Sequence, residues 1–69
     1  MEKIKIILET LRKEKIAFYG MQLKNSYYLD IYRLKKDMEL LKSLLDKYNM
    51  TYSHHDVENY QVEFSICLA

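Results

Sequence analysis

The chain has 69 residues, of which 49% are apolar and 30% are charged, and its formal net charge is +1 at pH 7. This balance is typical of one small folded domain and excludes a disordered tail. The one cysteine, Cys67, excludes an intramolecular disulfide and favours a reducing compartment. No apolar run approaches the roughly 20 residues of a membrane span. We therefore expect a single cytoplasmic domain over residues 1–69 that does not contact a membrane.

The charge is divided unevenly along the chain. Residues 1–36 contain nine basic and four acidic side chains, and residues 37–69 contain two basic and six acidic ones, so the two halves carry +5 and −4. A positive half can meet phosphates, whereas two opposite halves can pair within one fold or between protomers. Nucleic acid and a second copy of the chain are therefore both candidate partners.

The first half of the chain predicts a helix and a hairpin. Residues 2–15 carry apolar side chains at helical spacing, namely Ile4, Ile7, Leu8 and Leu11. Residues 16–33 are rich in β-branched and aromatic types around the sequence KNS, whose Asn25 tolerates the left-handed backbone of a tight turn. In the second arm Leu29 and Ile31 share one face of the strand, and Tyr28, Asp30 and Tyr32 share the other.

The second half repeats this order. Residues 34–49 predict a second helix, with an apolar stripe made of Leu34, Met38, Leu41, Leu45 and Tyr48. Asn49 suits a left-handed helix end. Residues 50–68 predict a second hairpin that turns at DVEN, and its last arm alternates, with Tyr60, Val62, Phe64, Ile66 and Leu68 on one face.

The order helix, hairpin, helix, hairpin has the character of a faint internal repeat. At an offset of 33 residues, Leu8 matches Leu41 and Tyr27 matches Tyr60. We predict an α+β fold of order αββαββ, in which two amphipathic helices pack on one face of a four-stranded antiparallel sheet.

The residues best suited to metal or acid–base chemistry are His54, His55 and Asp56. Neighbouring strand residues point to opposite faces, so the two histidines are poorly placed to share one ion. The sequence has no CxxC or HExxH spacing, and Cys67 is expected to be a small strand residue rather than a nucleophile. We therefore predict no metal site and no cofactor.

A His-His pair soon after the second helix of an αββαββ order resembles the pterin-4a-carbinolamine dehydratases, whose histidines line a pterin pocket. Only His54 and His55 match, since Asp56 stands where that family has proline and its third histidine has no counterpart in residues 1–69. The resemblance implies one alternative function, a small-molecule enzyme that acts through His54 and His55.

The first hairpin suggests another alternative. Its aromatic residues are interleaved with basic ones, the latter being Lys24, Arg33, Lys35 and Lys36. Aromatic side chains on a sheet face beside cations are suited to base stacking and phosphate contact, so nucleic-acid binding is a second alternative function. The absence of an RNP-like motif and the small net charge count against it.

Protein binding is the function that the sequence favours. Tyrosine and methionine are enriched at protein interfaces, and the chain has seven and four of them. An unpaired sheet edge and the divided charge add to this. We predict a non-enzymatic module, of the kind that phages and mobile elements encode, that forms a homodimer and binds and modulates, for example inhibits, a larger protein. The predicted binding residues are Tyr19, Tyr28, Tyr32 and Arg33.

Overall fold

The computed structural model describes residues 2–69, which form two helices and four strands in the predicted order. These are α1 (Glu2–Lys13), β1 (Phe18–Leu23), β2 (Ser26–Tyr32), α2 (Lys35–Lys47), β3 (Tyr52–Val57) and β4 (Gln61–Cys67). The strands form one antiparallel sheet in the order β1-β2-β4-β3, and the helices share a single core with it. The predicted α+β class is confirmed.

Helix α1 is amphipathic, as its spacing predicted, and it buries Ile4, Ile7 and Leu11. It ends at Lys13, two residues before the predicted end, because Lys15 takes a left-handed conformation with φ of 60°. The N–H of Ile16 then donates to the Leu11 carbonyl at 2.9 Å. This closing pattern satisfies carbonyls that the last helical turn would leave without donors.

Helix α2 ends in the same way. Asn49 is left-handed with φ of 56°, as predicted, and the N–H of Met50 donates to the Leu45 carbonyl at 2.9 Å. At the other end the helix begins one residue later than predicted, because Leu34 has an extended backbone and occupies the N-cap position. Leu41 and Leu45 are its buried residues.

The core lies between the helices and one face of the sheet. In the two central strands alternate side chains face this core; Tyr27 is partly buried there, and the fully buried ones are Leu29, Ile31, Val62, Phe64 and Ile66. The predicted faces of β2 and β4 are thus confirmed for these residues. Neither helix of residues 2–69 has the length and apolar content needed to span a membrane.

The turns differ from the prediction. In the first hairpin Lys24 has the positive φ, 57°, and not Asn25. The second turn is residues 58–60 rather than residues 56–59 (DVEN), and both Asn59 and Tyr60 are left-handed, with φ of 60° and 62°. Tyr60 therefore leaves the strand and is 78% exposed, so its predicted place on the buried face of β4 is wrong.

The internal repeat is real in geometry, but its offset is not 33. The left-handed helix ends, Lys15 and Asn49, are 34 residues apart. The second turn is one residue longer than the first, so the offset becomes 35 in the last strand. Leu29 is the middle residue of β2 and Phe64 is the middle residue of β4, and the two lie opposite each other. The two αββ halves are therefore related by an approximate two-fold axis through that pair.

Gly20 of β1 is covered by an aromatic ring from the neighbouring strand β2. A Cβ atom added to Gly20 would lie 2.6 Å from Cε1 of Tyr27, which means that the ring lies directly over the glycine backbone. Only a residue without a side chain allows this approach.

We predict that Lys15→Gly stabilises the protein. A non-glycine residue in the left-handed region costs roughly 1 kcal/mol, and glycine removes that cost. The free energy of unfolding, measured by urea denaturation, should rise by about 0.5–1 kcal/mol. The matched control Arg12→Gly, inside α1, should lower it by a similar amount. A loss of stability in Lys15→Gly would contradict the left-handed assignment.

Candidate functional site

The sheet face that the helices leave uncovered is called here the open face. Strand alternation places on it Tyr19, Met21 and Leu23 of β1, Tyr28, Asp30 and Tyr32 of β2, Ser53, His55 and Val57 of β3, and Gln61, Glu63, Ser65 and Cys67 of β4. None of the four strands contains lysine or arginine. All basic residues described by the structure thus lie on helices, turns and connections.

Three of the four predicted binding residues lie together on the open face. Tyr19 is 68% exposed, Tyr32 is 48% exposed, and Tyr28 is partly buried. Met21 and Leu23 extend this surface along β1, with 51% and 56% of their area exposed. These five side chains form a largely apolar border on the β1 side of the face.

Arg33, the fourth predicted residue, lies elsewhere. It follows Tyr32 directly, so alternation turns its side chain towards the helix side of the sheet. There its Nη1 donates to Oδ2 of Asp56 at 3.1 Å, and the guanidinium lies 5.9 Å from the centroid of the Tyr60 ring. The structure therefore groups the three tyrosines but not Arg33.

The centre of the open face is acidic, which the sequence analysis did not identify. One row of paired residues crosses all four strands in the order Tyr19, Asp30, Glu63, His55. Oδ1 of Asp30 is buried and has no hydrogen-bond donor among residues 2–69. Nε2 of His55 lies 3.5 Å from Oε1 of Glu63.

The environment of Glu63 alters its protonation. Desolvation raises the pKa of this carboxyl above its ordinary value of 4.5, and a hydrogen bond to Asp30 and the Asp30 charge raise it further, while His55 acts in the opposite direction. The protonated Glu63 can donate to Asp30. Just above pH 4.5, Glu63 therefore retains more of its proton than an isolated glutamate does.

The two histidines do not converge. His54 stacks on Phe64 on the helix side, with ring centroids 5.1 Å apart, whereas His55 lies on the open face beside Glu63. In the part of the chain that the structure describes, no group of three or more His, Cys, Asp or Glu side chains could hold a metal ion. A pocket lined by both histidines, as the pterin alternative requires, is not formed in this arrangement.

Two sequence comparisons, one with protein-family models and one with curated proteins, find no relative. No protein-family model matches the sequence, and no curated protein shows significant similarity to it. The functional interpretation therefore depends on the geometry of the open face.

We predict that Glu63→Gln removes a pH-dependent loss of stability. Because the folded state raises the pKa of Glu63, it retains a proton that the unfolded chain has lost, so stability falls as pH rises from 4.5 through the folded pKa. As pH rises across that window, the parent should lose stability that Glu63→Gln does not lose. The free energy of unfolding of the variant should therefore increase relative to that of the parent. Chemical denaturation at a series of pH values measures it.

The control for this experiment is Glu39→Gln, which changes an exposed glutamate on α2. Its difference from the parent should stay nearly constant over the same pH range. If Glu63→Gln behaved in the same way as this control, the carboxyl pair would not be coupled.

Proposed function

We propose that this chain is a small, non-enzymatic intracellular module that binds a larger protein through the open face of its sheet and modulates that protein. The main support is the exposure of large apolar and aromatic side chains on one face of the sheet, namely Tyr19, Tyr32, Met21 and Leu23. Such residues gain roughly 25 cal/mol for each Å² removed from water. Tyrosine and methionine are also enriched where proteins meet.

The backbone beneath these side chains favours binding as well. Tyr28 and Tyr32 belong to β2, which is paired on both sides, with β1 and with β4. A strand held in this way loses little backbone entropy when a partner docks. A preformed surface of this kind binds more tightly than a mobile one of equal area.

Charge supports a protein partner over nucleic acid. The basic residues of the nucleic-acid alternative lie in the turn at Lys24 and around the start of α2, not among the tyrosines. The carboxyls at the centre of the open face would repel phosphates. The enzyme alternative has less support than nucleic-acid binding, because His54 and His55 lie on opposite sides of the sheet.

The test is affinity capture from lysate with the parent protein and with Tyr28→Ser/Tyr32→Ser. We expect a retained protein that survives nuclease treatment to disappear with the double variant, because the apolar surface is lost. Ile6→Ser is the control, since it removes an apolar side chain that is 41% exposed on α1, away from the open face. Far-UV circular dichroism should show unchanged helix content in both variants. Equal capture by the double variant would refute the proposed surface.

We further propose that the module forms a homodimer through β1. This strand is one of the two sheet edges, contains no charged residue, and exposes Tyr19, Met21 and Leu23. Uncharged edge strands are prone to pair with another chain. The other edge, β3, carries His54, His55 and Asp56 and is therefore less suited to self-pairing. A two-fold axis perpendicular to the sheet would place the two open faces side by side.

Met21→Lys should shift this dimer to monomer, because a lysine at the middle of an edge strand places like charges near each other across the two-fold axis. Sedimentation velocity over a concentration series measures the change. Ser53→Lys is the matched control, since it adds the same charge to an exposed position of the other edge strand. A parent protein that stays monomeric at high concentration, or a dimer that only Ser53→Lys disrupts, would contradict the β1 interface.

A further inference from the structure

We infer that the partner inserts a basic side chain, a guanidinium or an ammonium group, beside Asp30 and Glu63 at the centre of the open face. Apolar side chains of the same partner surface would pack on the surrounding tyrosines. The inference rests on the proposed function and specifies the chemistry of the partner that the open face fits.

Charge complementarity is the first support. The only carboxylates on the open face are Asp30 and Glu63, and no lysine or arginine of the described strands lies beside them. The titratable groups that face the pair are Tyr19 from β1, Tyr28 and Tyr32 from β2, and His55 from β3. Both helices pack on the opposite face. A partner cation would therefore meet negative charge that no lysine or arginine of the described strands balances.

The shape of the surface is the second support. A recess of about 160 Å³ opens beside Asp30, and its wall includes Tyr19, Tyr32 and Gln61. Tyr19 is paired with Asp30 across the β1–β2 ladder, and Tyr32 lies two residues further along β2 on the same face, so a cation that enters the recess lies close to aromatic surface as well as to carboxylate. This combination of aromatic walls and a charged centre is typical of a site that receives an arginine or lysine side chain.

The hydrogen bonding of the pair is the third support. Oδ1 of Asp30 is a buried acceptor without a donor, while 27% of the Glu63 side chain is exposed and can be reached from solvent. In the free protein Glu63 can donate to Asp30 when its carboxyl is protonated, and this lowers the cost of the arrangement. A guanidinium group offers parallel N–H donors to carboxylate oxygens and would replace that proton. Docking of the basic side chain would then release a proton to solvent.

The experiment is selection of a displayed library of random peptides on the purified full-length protein. We expect the enriched peptides to carry an arginine or lysine flanked by aromatic or aliphatic residues. Their affinity for Asp30→Asn/Glu63→Gln should fall by about tenfold or more, the scale of a lost charge-assisted bond. Replacing the basic residue of the peptide by norleucine should cause a similar loss.

Two further measurements separate charge recognition from a structural effect. Asp56→Asn is the matched control, because it removes a carboxylate on the helix side of the sheet, and it should leave peptide affinity unchanged. Affinity for the parent should rise as pH increases from 4.5 through the raised pKa of Glu63, since the cation competes with the proton on that carboxyl. This pH dependence should be absent in the Asp30→Asn/Glu63→Gln variant. Thermal unfolding establishes that each variant is folded.

The outcomes distinguish this inference from the proposed function. Two outcomes would overturn the inference but still support the docking surface. In the first, the enriched peptides contain no basic residue. In the second, they bind Asp30→Asn/Glu63→Gln as tightly as the parent but lose affinity for Tyr28→Ser/Tyr32→Ser. Peptides that are insensitive to both variants would overturn both. A selection that enriches no peptide would count against the inference.

Discussion

The pairing of β2 with β4 is the interaction on which the rest of the structure depends. It joins the two αββ halves in one sheet and sets Leu29 opposite Phe64, with both side chains fully buried under the helices. A sheet ladder satisfies backbone groups only if the register holds along its whole length, and a slip of one residue would move every side chain to the other face. The buried aliphatic and aromatic side chains of this pair therefore fix the register of the whole sheet.

The same register creates the candidate site. The neighbours of Leu29 and Phe64 in the chain, Asp30 and Glu63, are placed opposite each other on the open face. Desolvation raises the pKa of Glu63, and the neighbouring Asp30 raises it further because two adjacent carboxyls disfavour double ionisation. The two carboxyls repel each other when both are ionised. They stay side by side because the buried core on the other face of the sheet fixes the register of β2 and β4. Unfavourable polar pairs of this kind are commonly found at binding sites.

The open face is acidic because the lysines and arginines lie outside the strands. Basic residues are frequent in the first 36 positions of the chain, yet the fold puts them on helices and connections and leaves the strands without any. The tyrosines predicted from the sequence to bind a partner are thus combined with acidic rather than basic neighbours. For this reason we propose a protein partner rather than nucleic acid, although the sequence of the first hairpin alone suggested both.

The sequence by itself determined the element types, the α+β class and the two faces of β2 and β4, because these depend on periodicities of 3.6 and 2 residues that are local to each segment. It also located the exposed tyrosines of the first hairpin. Only the tertiary structure decided the strand order, the pairing of Asp30 with Glu63 and the separation of Arg33 from the tyrosines. The physical reason is distance along the chain: these contacts join residues more than 20 positions apart, and their geometry is set by the packing of one common core.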